Sequence, residues 1–140
     1  MSVVSMQVII EIDEKNRRVT VQAGITIEKL NEELNKRGYF LAHDPASRSV
    51  VTVGGAISVN GAGTFSAFYG RAIDQVTGIE VVLPTGEVGE IGGKVYEPSS
   101  GIDLLRLFLS AEGTLGIITK ATLRIYKQPE YRFIDVITFE

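Results

Sequence analysis

The sequence contains no cysteine, only one histidine, and neither a long apolar run nor a run of basic residues. Without cysteine there is no disulfide framework, thiolate nucleophile or cysteine metal site, which is compatible with a reducing cytoplasm. The apolar runs are too short to cross a bilayer, and the first residues lack the basic start and apolar stretch of a signal peptide. These absences predict a soluble, cytoplasmic protein without a membrane span.

The charge balance and the missing motifs disfavour several classes of function. The chain has 14 basic and 17 acidic residues and a net charge of −3, which argues against nucleic-acid binding. There is no P-loop, and in GAGTFS, at 61–66, Ser66 occupies the third glycine position of a dinucleotide fingerprint. Since His43 is the only histidine, we predict a structural or ligand-edge role for it and no catalytic triad. We also predict no metal site, although carboxylates alone could hold Mg²⁺ or Ca²⁺.

Local sequence patterns predict one α+β domain, and 140 residues are enough to bury its core. Alternating apolar residues flank turn-forming residues twice, which predicts hairpins with turns near 13–16 and 84–86. Thr26 is the expected cap of a helix that Gly38 ends, and a second helix starts within 99–103. A long strand is expected over 115–126 and a further one over 133–140. The expected architecture is a mainly antiparallel sheet with both helices packed on one face.

The small-residue stretch VTVGGAISVNGAG, at 51–63, is the strongest candidate for a binding surface. Thr52 is placed to cap a short helix over 54–59. Amides at such a helix start attract an anion or an electron-rich ring, and glycine lets a ligand approach the main chain. The alternative is a tight turn between packed elements.

Five blocks along the chain carry a family resemblance: DPAS, TVGG, VNGAG, YG and AEGTLGIIT. In order and spacing they resemble the second lobe of the PCMH-type FAD-binding domain of the vanillyl-alcohol oxidase family. Within that family, the match is to the branch of glycolate oxidase and D-lactate dehydrogenase, over residues 9–129. The resemblance implies FAD as cofactor, bound by Pro45, Ala46, Ser47, Val51, Thr52, Gly54, Gly55, Ser58, Asn60, Gly61, Tyr69, Gly70, Glu112, Gly113, Thr114, Gly116 and Ile117.

The chain also departs from the family pattern. Ala46 stands where the family often has glycine and Val59 where it often has threonine, so hydrogen bonds there are expected to be lost. For Glu112 to Ile117 the alternative is a turn in which Glu112 caps local amides. The family's first lobe carries a P-x-G-G-G-T-S-like loop against the FAD pyrophosphate, and this chain has no such loop.

The resemblance implies a partial FAD-binding domain at 1–128, with 129–140 as a C-terminal strand that starts a missing cap domain. The implied function is that of an FAD-binding lobe in a flavin-dependent oxidoreductase of the glycolate or D-lactate (2-hydroxy acid) type. No catalytic residue is expected in this segment, because the hydride chemistry belongs to the flavin. The implied partners are a polypeptide that supplies the first lobe or the cap, and a second copy in a homo-oligomer. The alternative is a non-catalytic interaction module that keeps the fold without binding FAD.

Overall fold

The structure, a computed structural model, describes residues 3–93, 102–131, 133 and 135–139. Its main layer is a five-stranded antiparallel sheet, in the order β1-β2-β6-β4-β5, while β3 and β7 pair separately. This arrangement confirms the predicted α+β class. The strands are β1 (Ile9–Asp13), β2 (Arg18–Gln22), β3 (Tyr39–Phe40), β4 (Val76–Val82), β5 (Val88–Gly92), β6 (Ile117–Arg124) and β7 (Tyr126–Lys127).

Both predicted hairpins are present, and each turn has the chemistry that its residues supply. In the β1–β2 turn the Asn16 amide donates to Oδ1 of Asp13 at 3.0 Å. In the β4–β5 turn Gly86 adopts φ +89° and its amide donates to the Leu83 carbonyl at 2.9 Å. Glycine adopts a positive φ more readily than other residues, which explains why the chain reverses at this position.

Four short α-helices and one 3₁₀ turn connect the strands. They are α1 (Ile27–Asn35), α2 (Val53–Ser58), α3 (Ser66–Tyr69), the 3₁₀ turn Ala72–Gln75, and α4 (Leu104–Phe108). As predicted, the Thr26 side chain caps α1, and Gly38 takes φ +75° after the helix ends. Asp103 caps α4 by accepting from the Arg106 amide at 3.0 Å. The rest of the predicted start of α4, 99–101, lies outside the described residues.

The helices pack on one face of the sheet, as the sequence predicts. Val21, Ala121 and Ile79 lie side by side across three neighbouring strands and are buried. Leu30 of α1 and Leu105 of α4 belong to the same buried cluster. Removing these apolar surfaces from water is the main stabilising contribution to such a domain.

A β-bulge in β6 controls which side chains reach this core. The register between β4 and β6 shifts next to Glu80, which leaves Thr119 as an extra residue. Because of it, Ile118 and Ala121 both face the core although they are three positions apart. The Thr119 hydroxyl donates to the Glu80 carboxylate at 2.6 Å, and this bond is the main cause that lowers the pKa of Glu80.

The opposite face of the sheet is polar. Thr20 and Thr122 share a hydrogen bond of 3.1 Å between their hydroxyls. The Lys120 ammonium lies between two carboxylates, 3.1 Å from Glu80 and 2.6 Å from Glu90. No helix covers these groups within the described residues, so this face is expected to remain in contact with water.

The strand predicted over 133–140 is wrong for the residues that the structure describes. Residues 133 and 135–139 are outside every strand, with Phe133 and Phe139 each 89% exposed. A strand is stabilised by hydrogen bonds to a neighbour, and none of the described strands pairs with these residues.

Candidate functional site

The turn that follows the single histidine presents two free backbone donors. The Arg48 amide donates to the Pro45 carbonyl at 3.1 Å, and the Val51 amide donates to the Ser47 carbonyl at 2.9 Å. Ala46 and Ser47 are exposed, and among the described residues their own amides have no acceptor. Both amides are therefore available to a ligand.

Helix α2 starts as predicted, but its first amides are not free. Thr52 caps the helix by accepting from the Gly55 amide at 3.1 Å. The Val53 and Gly54 amides donate, each at 2.8 Å, to carbonyls of the segment between β2 and α1. The expectation that this helix start attracts an anion is therefore wrong, because these donors already fasten α2 to the domain.

Two glycines of the predicted set are required by internal packing. A Cβ on Gly54 would lie 2.9 Å from the Cβ of Ala23. A Cβ on Gly116 would lie 2.7 Å from a methyl carbon of Val81. Both contacts are shorter than carbon atoms tolerate, so these glycines serve close approach between elements of the fold itself.

Two other glycines face open space. Around Gly113, which has φ +78°, an added Cβ would meet nothing within 4 Å. At the exposed Gly55 it would meet only the Thr52 hydroxyl at 3.2 Å and a methyl of Val51 at 3.9 Å. Internal packing does not require glycine at either position, so both can serve the approach of a ligand.

The loop 110–114 is hydrogen-bonded to the carboxyl end of α2. The Ser110 amide donates to the Ile57 carbonyl at 3.2 Å, and the Glu112 amide donates to the Ser58 carbonyl at 3.1 Å. These bonds unite residues that are more than fifty positions apart in the sequence. We call the turn 45–48, helix α2 with residues 59–61, and the loop 110–114 the glycine-rich site.

Backbone strain is concentrated in this site. Asn60, Ser110 and Glu112 adopt φ values of 48°, 68° and 51°, and the only other such non-glycine residue among those described is Arg17, in a hairpin turn. Side chains disfavour this region of φ, so it persists where the surrounding structure imposes it, and it is frequent at ligand sites.

The Asn60 side chain offers an acceptor to the site. Its Oδ1 is buried and has no hydrogen-bond partner among the described residues. Its backbone carbonyl, in contrast, accepts from Nε of Arg71 at 3.1 Å. An unpaired buried acceptor normally costs about 1–3 kcal/mol.

Tyr69 lies in an aromatic cluster. Its ring centroid is 4.6 Å from that of Tyr126 and 5.8 Å from that of Phe40. The following Gly70 takes φ +85°, and a Cβ there would lie 2.7 Å from the Asp74 carboxylate. The aromatic ring of Tyr69 and the glycine at position 70 therefore both have a structural explanation, and their role in cofactor binding stays a prediction.

The remaining predicted residues divide between the site and the sheet. Thr114 closes the 110–114 loop through its hydroxyl, which donates to the Ala111 carbonyl at 2.6 Å. Ile117 begins β6 and pairs with Val82. Within the described residues, no hydrogen bond joins Ile117 to the turn or to α2.

The structure adds two buried polar side chains, of which the sequence draws attention to only one. His43 is 3% exposed and Gln75 is 1% exposed. Among the described residues, neither ring nitrogen of His43 nor Oε1 of Gln75 has a hydrogen-bond partner. Burial lowers the pKa of His43, and the neighbouring Asp44 carboxylate opposes this effect. The lone histidine was a signal in the sequence, whereas no motif or periodicity distinguishes Gln75.

The domain belongs to a class that binds a flavin nucleotide. The sequence model of the FAD binding domain family matches residues 1–92, and the chain belongs to this family. FAD is therefore the cofactor, as the sequence predicts. Every helix in the described part of the chain is too short or too polar to cross a membrane.

Particular relatives are a glycolate oxidase subunit and a D-lactate dehydrogenase, and both are much longer than this chain. The chain is 41% identical over 125 residues to glycolate oxidase subunit GlcD of Bacillus subtilis, covering 89% of this chain and 27% of that protein. It is 37% identical over 139 residues to a D-lactate dehydrogenase of Anaerostipes hadrus, covering 99% and 29%. These relatives confirm the resemblance found in the sequence.

A solved structure has the same fold. Alkyldihydroxyacetonephosphate synthase superposes with a TM-score of 0.80 and 32% identity, over 90% of this chain and 22% of that one. The chain thus spans less than a third of each of these proteins.

The residues of the glycine-rich site fit part of an FAD molecule. The Ala46 and Ser47 amides are exposed and can donate to cofactor oxygens. Gly55 and Gly113 leave room for close approach. If these residues hold FAD, they would bind and orient it, and the cofactor itself would supply the hydride chemistry.

Proposed function

We propose that this chain is the second lobe of the FAD-binding domain of an oxidoreductase that acts on a small 2-hydroxy acid. The main support is the assembly of the turn 45–48, α2 and the loop 110–114 into one hydrogen-bonded site within a domain of the FAD-binding family. The substrate class follows from the relatives, a glycolate oxidase subunit and D-lactate dehydrogenases.

In this proposal the lobe alone holds only part of the cofactor. Among the described residues of the site, the amides of Ala46, Ser47 and Gly113 have no acceptor, whereas those at the start of α2 are already used. A pyrophosphate group carries two negative charges and needs more donors than these few amides supply. We expect weak FAD binding by the chain alone, and tighter binding once a first lobe joins the site.

An FAD titration followed by fluorescence quenching tests the proposal. Gly55→Val places a branched side chain over an open glycine, so we expect its FAD affinity to fall by about tenfold or more. Lys36→Ala is the matched control, since Lys36 is exposed and, among the described residues, pairs with Glu33 of α1 alone. If a folded Gly55→Val protein binds FAD as well as the parent, with and without an added first lobe, the glycine-rich site is not a cofactor site.

We also propose that residues 1–128 form the lobe, that 129–140 lead into a substrate-binding cap domain, and that the protein is cytoplasmic. The first lobe and the cap would come from a longer polypeptide or from a separate chain. Limited proteolysis tests the boundary, because cleavage should concentrate after residue 128. Cell fractionation tests the location.

A non-catalytic interaction module is the second candidate, and the exposed apolar side chains favour it. Val50 is 76% exposed, Val59 59% and Phe68 84%. Such groups can cover a partner surface, although they can equally meet the first lobe. Association of the chain in the absence of any FAD binding would support this function instead.

A further inference from the structure

A small cavity lies beneath the glycine-rich site, and two polar side chains reach it. The cavity has a volume of about 10 Å³, and both His43 and Gln75 line it. The other lining side chains are apolar. A volume of this size holds one water molecule when polar partners are present.

A single water molecule can bridge the unpaired side-chain atoms at this cavity by hydrogen bonds. Nε2 of Gln75 donates to the Tyr69 carbonyl at 2.5 Å, so Oε1 is the end of the amide left without a partner. A neutral imidazole has one N–H donor and one acceptor nitrogen. One water can accept from the imidazole and donate to the amide oxygen, which satisfies two buried groups that otherwise have no partner.

His43 and the 3₁₀ turn that carries Gln75 both contact Gly61, the residue after Asn60. A Cβ built on Gly61 would lie 3.4 Å from Cε1 of His43, so this ring packs against the loop. The Ala72 amide donates to the Gly61 carbonyl at 3.0 Å. Ala72 and Gln75 belong to the same 3₁₀ turn. Any shift of the imidazole or of this turn therefore displaces Gly61 and its neighbour Asn60.

We propose that His43, one buried water and Gln75 form a hydrogen-bonded chain that sets the position of Asn60 and Gly61. His43 and Gln75 are then positioning residues that act through the loop. Their effect on FAD binding rests on the function proposed above, whereas the chain itself and its effect on the loop do not.

Because His43 is the only histidine, the imidazole can be observed alone by ¹⁵N NMR of the full chain. We expect one neutral tautomer, an N–H proton protected from exchange, and a nuclear Overhauser effect from that proton to a long-lived water. Gln75→Leu should shift the imidazole nitrogens and change the amide signals of Asn60 and Gly61. Unchanged imidazole signals in Gln75→Leu, or no bound water in the parent, would refute the chain.

Thr77→Val is the matched control, since Thr77 is also buried, and its hydroxyl donates to the Thr122 carbonyl at 3.3 Å, away from the cavity. It should leave the signals of His43, Asn60 and Gly61 in place. Imidazole signals that move in Gln75→Leu without any change at Asn60 and Gly61 would overturn the positioning role.

An FAD titration adds a separate measurement, made where all variants are folded. Gln75→Leu should weaken FAD binding about tenfold and Thr77→Val less than about twofold. Equal affinity of Gln75→Leu and the parent would overturn the role in cofactor binding. If the parent itself binds no FAD, the proposed function fails, while the NMR signals still decide whether the chain exists and positions the loop.

Discussion

At the scale of single residues, the glycines of the site are not equivalent. Gly54 is closed in by Ala23, whereas Gly55, its neighbour, is exposed. A sequence motif presents them as a pair. The structure separates a glycine needed for folding from one that is free for binding.

Gly54→Ala and Gly55→Ala test this separation. The first forces a methyl group into the contact with Ala23 and should lower the free energy of unfolding by about 1–3 kcal/mol. The second meets the Thr52 hydroxyl and, at ordinary contact distance, a methyl of Val51, and should change the free energy of unfolding by less than about 1 kcal/mol. Urea unfolding followed by circular dichroism measures both. Equal destabilisation would mean that Gly55 is also a packing glycine.

His43 predicts a pH dependence of stability. Its pKa in the folded chain lies below the ordinary value of 6.5 because of burial, so the unfolded chain takes up this proton first as the pH falls. The contribution of neutral His43 to the free energy of unfolding should be fully present above pH 6.5. Below that pH it should decrease by at most about 1.4 kcal/mol per pH unit for one proton. Urea unfolding between pH 5 and 7 measures the slope, and His43→Gln should flatten it. An unchanged slope in His43→Gln would assign the proton to another group.

At the scale of elements, α2 connects the site to the sheet. Its amides bond to the segment between β2 and α1, and its carboxyl end accepts from the loop 110–114. Helix α2 is thus bonded to the rest of the domain at its amino end and contributes to the candidate site at its carboxyl end.

Removal of the two threonine caps distinguishes α2 from α1. Thr52→Ala and Thr26→Ala each lose a side chain that accepts from a helix amide, which costs about 1 kcal/mol in either case. Only Thr52→Ala should also weaken FAD binding, because α2 belongs to the glycine-rich site. Thermal unfolding and FAD titration of both variants check this. A similar loss of affinity in Thr26→Ala would indicate a general effect of destabilisation.

Elements with local signals were predictable from the sequence, and those that depend on distant partners were not. The turn at Gly86 and the cap at Thr26 are encoded by neighbouring residues. The bulge at Thr119 arises only when β6 meets β4, and the occupied amides of α2 depend on carbonyls that precede α1. Nothing near Gln75 in the sequence indicates that it lies beside His43.

At the scale of the whole molecule, we expect the chain by itself to leave glycolate and D-lactate unoxidised at any useful rate. The 140 residues span less than a third of the length of the relatives they match, and the glycine-rich site offers donors for a cofactor but too few groups to orient a substrate against the flavin. A dye-reduction assay with added FAD measures this. A polypeptide that supplies the first lobe and the cap is the positive control, and robust turnover by the chain alone would contradict the expectation.

The central position of β6 has a consequence for synthesis. Its residues, 117–124, are made after those of the four strands that flank it, yet β2 and β4 are joined only through it. During synthesis on the ribosome the two hairpins therefore stay unpaired with each other, each with an apolar face open to water, until β6 emerges. During that interval a chaperone that binds apolar strands can bind either hairpin. A chain that ends before residue 117 lacks β6, so its two hairpins would stay unjoined.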